Sequence, residues 1–78
     1  MVSTMIVCPP DAPPAATGCA ARTGKGLVPG LGRVTETYTF FISDCGGTFL
    51  LLETSVRLEV EGRGALQATL AQDDQYVP

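Results

Sequence analysis

From Arg33 to Ala71 apolar and polar residues alternate almost without a break. A period of two is the pattern of half-buried β-strands, whose successive side chains point to opposite faces of a sheet. Across 33–43 the even positions Val34, Tyr38, Phe40 and Ile42 are apolar, with Glu36 the exception. The odd positions Arg33, Thr35, Thr37, Thr39 and Ser43 are polar, with Phe41 the exception. Across 48–61 the even set is Leu50, Leu52, Thr54, Val56, Leu58 and Val60, and Glu53, Ser55, Arg57, Glu59 and Glu61 face the other way. In the last stretch Leu66, Ala68 and Leu70 keep the even phase. Glycine-rich breaks at 46–47 and 62–64 separate the three runs, so the pattern predicts an antiparallel meander.

Matching apolar faces also predicts register, because a slip of one residue turns a strand's apolar set to solvent. Even positions should oppose even positions, which requires turns with an odd number of residues. That selects Gly62-Arg63-Gly64 as a three-residue turn with Gly64 left-handed. Val60 then opposes Leu66, Leu58 opposes Ala68 and Val56 opposes Leu70. A first turn centred on Gly46 pairs Ile42 with Leu50 and Phe40 with Leu52, and sets Arg33 opposite Glu59. One competing reading applies to 65–72, where good helix formers put Leu66 and Leu70 at i, i+4 spacing.

The expected fold is mainly β: a small antiparallel meander of three to five strands, a curled sheet or half-barrel, with an irregular Pro/Gly-rich N-terminal third. The whole chain, 1–78, forms one domain. Residues 1–32 supply a strand near Met1–Val7 plus Pro/Gly-rich loops, 33–71 the meander and 72–78 a polar tail. The run Pro9-Pro10-Asp11-Ala12-Pro13-Pro14 reads as an extended, polyproline-like connection.

A 78-residue chain buries only about 60% of the surface its unfolded form exposes. Such domains lean on a disulfide, a metal or a partner. Cys8, Cys19 and Cys45 are odd in number, and the first expectation is three reduced thiols acting as small apolar residues. The alternative is a Cys8–Cys19 bridge closing the proline-rich loop, worth roughly 3 kcal/mol in a chain-entropy account. With no histidine and no C-x-x-C pair, no metal site is expected.

Several function classes fall away. Residues 1–35 carry three basic side chains against one acidic, whereas 36–78 carry two against seven. So few cations on a net −3 chain disfavour nucleic acid. No apolar run approaches the ~20 residues of a membrane-spanning helix. Gly18–Gly26 departs from a phosphate-binding loop in spacing and in having Gly26 where Ser or Thr belongs. The Gly30-Leu31-Gly32 triplet opens into a strand, which excludes a dinucleotide site. No cofactor is implied. Histidine, the commonest general base, is absent, and Cys45 beside Asp44 has no basic neighbour in sequence to activate it, so an enzyme is not the favoured reading.

Phe41, Phe49 and Leu51 break the alternation by placing apolar bulk on the odd face near the first turn. A strand apolar on both faces is covered on both. One cover is the N-terminal segment, Met1–Val7 or Leu27–Leu31; the other is a second copy. The functional expectation is an interaction module that forms a homo-oligomer through Phe41, Phe49 and Leu51 or through a sheet edge. The alternative is a small-molecule-binding or catalytic barrel with a pocket around Glu36, Tyr38, Phe40 and Leu52. The glycine-flanked strands of 26–71 resemble those of small secreted bacterial β-barrel proteins of the allene-oxide-cyclase-like kind. That resemblance rests on glycine spacing and strand texture and transfers no site residue. Without a basic, apolar leader at the start the expected location is the cytoplasm, secretion after removal of a signal being the alternative.

Overall fold

The computed structural model describes residues 3–71 and 75–76. Its elements are all strands: β1 (Thr4–Ile6), β2 (Gly18–Val28), β3 (Gly32–Cys45), β4 (Thr48–Val60), β5 (Gly64–Ala71) and β6 (Gln75–Tyr76). They form one antiparallel sheet in the order β1-β2-β3-β4-β5, with β6 beside β4. The meander is as expected and stays open, with β1 and β5 at its edges. The competing helix at 65–72 is not formed. Leu58, Val56 and Thr54 stand opposite Leu66, Ala68 and Leu70, so the ladder overrides helix propensity.

The N-terminal third is more regular than its composition suggests. β2 runs for 11 residues along β3, from Gly18 opposite Ile42 to Val28 opposite Gly32. The proline-rich segment is two successive turns rather than an extended rod. The N–H of Ala12 donates to Pro9 O at 3.0 Å and that of Ala16 to Pro13 O at 2.9 Å. This puts Pro10 and Pro14 second in their turns, where a locked φ is pre-set for the bend. Gln75–Tyr76, expected in a polar tail, pairs with Phe49 and Leu50; residues 72–74, 77 and 78 of that tail lie outside the described residues.

Register departs from expectation at both turns of the meander. In β4–β5 the pairs are Val60–Gly64, Leu58–Leu66 and Val56–Ala68, one step closer to the turn than expected but in the right phase. Arg63 N–H donates to Val60 O at 2.9 Å, and Gly62 (φ 78°) and Gly64 (φ 97°) both have positive φ. The turn is therefore Glu61-Gly62-Arg63, with Gly62 third in a type II-like bend. Pro29-Gly30-Leu31 repeats the device between β2 and β3, with Leu31 N–H on Val28 O at 3.0 Å.

At the β3–β4 turn the phase itself changes. Gly46 (φ 63°) and Gly47 (φ 90°) form a two-residue turn of the I′ kind, so Cys45 opposes Thr48 and Ile42 opposes Leu51. An even-length turn pairs odd with even. Past Ile42 the register shifts, and Phe41 faces Glu53, Phe40 faces Thr54 and Val34 faces Val60. Leu52 is the bulged residue that restores even-to-even pairing. Arg33, expected opposite Glu59, lies instead by Glu61, at 3.8 Å between highly exposed groups, and Thr35 opposes Glu59.

Candidate interaction surface

Residues directly opposite one another share a face, so the ladder sorts the side chains into two sets. One face carries Met5, Ala20, Arg22, Val34, Glu36, Tyr38, Phe40, Ile42, Phe49, Leu51, Val56, Leu58, Val60, Leu66 and Leu70. The other carries Lys25, Thr35, Thr37, Thr39, Glu53, Ser55, Arg57, Glu59, Gln67 and Thr69, around an apolar island of Cys19 and Phe41 with Ile6 and Leu50 beside it. The bulge at Leu52 is what brings Phe49 and Leu51, odd in number, onto the even face.

The island is covered from outside the sheet. Cys19 is fully buried and Phe41 is 4% exposed. A single layer cannot bury a residue on both sides of itself. Apart from Ser3 and the hairpin turns, the 7–17 segment is the part of the described chain outside the strands. It is fixed at two points. A Cys8–Cys19 disulfide (Cα–Cα 5.2 Å) closes it onto β2, so two of the three thiols expected to be reduced are joined. Thr17 ties it to β3, its N–H donating to Ile42 O at 2.8 Å while its Oγ1 accepts the Asp44 N–H at 2.8 Å. Among the described residues the disulfide-closed loop is the segment that can lie over this island, since Thr4–Ile6 is a strand of the sheet itself and Leu27 and Val28 pair at its far end. Met1 and Val2 lie outside the described residues, as does the side chain of Cys45.

The apolar face is covered only in part: Ala20, Val34 and Thr54 on it are buried, whereas its larger side chains stay partly exposed. Phe40, Ile42, Phe49 and Leu51, with Ala20 and Ser3, line an open depression of about 360 Å³. Phe49 is 38% exposed, and Met5 on the neighbouring edge is 69% exposed. Buried apolar residues among those described are Cys19, Ala20, Val34 and Phe41 alone. The radius of gyration is 14.2 Å, against about 11–12 Å for a compact domain of this length.

Arg22, Glu36 and Tyr38 form a polar cluster on this face, apart from Asp44 and the buried Thr54. Tyr38 and Phe40 stack at 6.5 Å between ring centroids, and the Arg22 guanidinium lies 5.3 Å from the Tyr38 ring and 5.9 Å from that of Phe40. At those distances the cation is attracted by the ring quadrupoles. The Tyr38 hydroxyl donates to Glu36 Oε2 at 3.3 Å. Thus Glu36, Tyr38 and Phe40 come together, whereas Leu52 is taken up by the bulge, and neither Glu36 nor Tyr38 lines the depression. Arg22 and Ile42 were not singled out from sequence. Arg22 had no visible face while β2 read as loop.

At the far end of the sheet an open groove of about 840 Å³ is lined by Lys25, Arg33, Arg57, Glu59 and Glu61 among others. Four of these charges stand in pairs, Arg57 Nε donating to Glu59 Oε1 at 2.9 Å and Arg33 lying by Glu61, which leaves one positive charge in excess. Among the described residues no three His, Cys, Asp or Glu side chains converge to hold a metal ion, and no helix is long and apolar enough to cross a membrane. No protein-family model, curated protein or solved structure matches the chain.

Proposed function

We propose that this protein is a non-catalytic interaction module that works by self-association, two copies packing their apolar faces together as the layers of a β-sandwich. The observation that carries this reading is the asymmetry of cover. The disulfide loop lies outside the sheet beside the small island around Phe41, while on the broad face Tyr38, Phe40, Ile42, Leu51, Val56 and Leu58 are only half-buried and Phe49 is exposed. An apolar sheet face must be buried against another layer. This chain supplies none among its described residues. Phe49 and Leu51 belong to this surface, and Phe41, buried on the other side, supports the fold beside the loop.

A second copy fits the charges. Arg22 is opposite Tyr38 and Gly24 is opposite Glu36, so one cation and one anion stand two positions apart on neighbouring strands. A twofold axis running in the interface between them sets Arg22 of each copy over Glu36 of the other. Self-complementarity of this kind is what an isologous dimer requires. The disulfide supports an oxidising compartment as the working environment, since cytosolic thiols are normally kept reduced.

Sedimentation velocity on Leu51→Glu and, separately, Leu58→Lys tests the proposal. Both variants should lose the face-to-face contact and sediment as a smaller species than the parent, with the parent's far-ultraviolet spectrum. A folded variant of either kind with the parent's mass would refute the shared-face interface. A saturable apolar dye site on a monomeric parent would favour the rival reading, a small apolar ligand in the Phe40–Leu51 depression.

A further inference from the structure

The outer edge of β5 ends the order of the sheet. Glu61 N–H donates to Arg33 O at 3.0 Å, so the odd residues of β4 turn their backbone groups toward β3. Its even residues turn theirs toward β5, as the Arg63 N–H bond to Val60 O also shows. Antiparallel ladders alternate in this way. Val60, Leu58, Val56 and Thr54 therefore bond Gly64, Leu66, Ala68 and Leu70. Ala65, Gln67, Thr69 and Ala71 direct their N–H and C=O groups outward, where the sheet order ends.

Natural edge strands are usually blunted by a charge, a proline, a bulge or a covering segment. The opposite edge has such protection. β1 covers β2 at Cys19–Ala21, and the stretch beyond bears Arg22 and Lys25. Among the described residues β5 has none of these devices. Ala65-Leu66-Gln67-Ala68-Thr69-Leu70-Ala71 contains no charge and no proline, its pairing with β4 is unbroken, and Leu66 and Leu70 are 73% and 53% exposed.

We infer that β5 pairs antiparallel with β5 of a second copy, centred on Ala68. In that register Ala65 opposes Ala71, Leu66 opposes Leu70 and Gln67 opposes Thr69 of the other copy. Each outward-facing odd residue then meets another odd residue, so the backbone groups match along the overlap. Leu66 and Leu70 meet on the apolar face, and Gln67 and Thr69 on the polar one. A shift of one residue would oppose outward groups to inward ones and leucine to glutamine, so face and hydrogen-bond phase select the same alignment. The absence of charge matters because like charges opposed across a twofold axis destabilise a self-pair. Strand addition of this kind draws its affinity from the backbone and its selectivity from alternate side chains. It is independent of the face-to-face contact, which uses side chains of the even positions and leaves the edge open.

Two measurements test it together. In the parent, amide exchange followed by NMR should slow about tenfold at Gln67 and Thr69 between dilute and concentrated protein, equivalent to about 1.4 kcal/mol of pairing. Leu66, Ala68 and Leu70 should be protected at both concentrations. In Gln67→Lys/Thr69→Lys, lysines meet across the axis and native mass spectrometry should show the edge-paired species lost. The same holds for Gln67→Glu/Thr69→Glu, and mixing the two variants should yield a mixed dimer. Concentration-independent exchange at Gln67 and Thr69 overturns the proposal even if the protein is dimeric, because a face-to-face dimer alone gives that result. So does an unchanged assembly of the all-lysine variant, or a mixture that forms no mixed species.

Discussion

Replacing Cys8 by serine removes the bridge to Cys19 while leaving the fully buried Cys19 in place, and its cost can be estimated from the loop. The cysteines are 11 residues apart, and closing a loop of that length lowers the unfolded chain's entropy by an amount worth just under ~3 kcal/mol. Pro9, Pro10, Pro13 and Pro14 lie within the loop and already restrict the open chain, so about 2–3 kcal/mol is the expected range. A domain of this length has about 4–12 kcal/mol in all. The bridge is thus a large fraction of total stability, and at about 4–8 °C per kcal/mol its loss should lower Tm by roughly 10–20 °C. The loop is also the segment that can lie over Phe41, so its release should expose an aromatic side chain that four strands of ladder do not shield. Urea unfolding of parent and Cys8→Ser, with and without reductant, measures the effect. Reductant should bring the parent to the variant's midpoint and leave the variant unmoved. A variant within ~0.5 kcal/mol of the oxidised parent would refute the assignment of the loop as the staple of this fold.

Other substitutions test the turns and the bulge. Deleting Leu52 leaves Leu51 on the Ile42 face and Glu53 on the Phe41 face, so the chain should still fold, with the ladder running unbroken through Phe41–Ile42 in cross-strand NOEs; an unfolded deletion variant would refute the bulge as a simple phase corrector. Gly64→Ala should destabilise by about 1–2 kcal/mol, because φ is 97° although no atom lies within 4 Å of the added methyl. Gly26→Ala, equally uncrowded but without a positive φ, should instead stabilise by about 0.4–1 kcal/mol; the two opposite signs are read from denaturant midpoints. Arg33→Ala, which removes an exposed contact with Glu61, should change stability by less than about 0.5 kcal/mol, measured in the same titrations.

The strands of the meander were legible because their alternation is a property of side chains, and burial on one face imposes it directly. β2 was not, since Gly18, Ala20, Ala21, Gly24 and Gly26 are poor strand formers. Pairing along β3 makes it a strand, and that pairing reaches across the sequence as far as Gly18 with Ile42. The turn at Gly46–Gly47 shows a different limit. Face matching alone asks for an odd-length turn, but two consecutive glycines with positive φ make the tight even-length one available, and a bulge then repairs the phase. Sequence spacing therefore placed Phe49 and Leu51 on the face of Phe41, whereas backbone geometry places them with Phe40 and Ile42. The disulfide was one of two readings of an odd cysteine count, and its pairing follows from β1 lying beside β2, which brings Ile6 opposite Cys19.

The two proposed contacts differ in what they require of the chain, so that one does not preclude the other on so small a sheet. Face-to-face packing depends on the even side chains of β3 and β4, where Leu51, Val56 and Leu58 are half-buried and any polar substitution is felt. Edge pairing depends on backbone groups of the odd residues of β5, whose side chains are exposed and replaceable without disturbing the ladder to β4. Substitutions can therefore abolish one contact and spare the other. Leu58→Lys acts on the first and leaves the outward N–H groups of Gln67 and Thr69 untouched. Gln67→Lys/Thr69→Lys acts on the second and leaves the apolar face intact. With both proposed contacts in place, each face-to-face pair would present two β5 edges, so association should proceed beyond the dimer, and each variant should stop it at a different species.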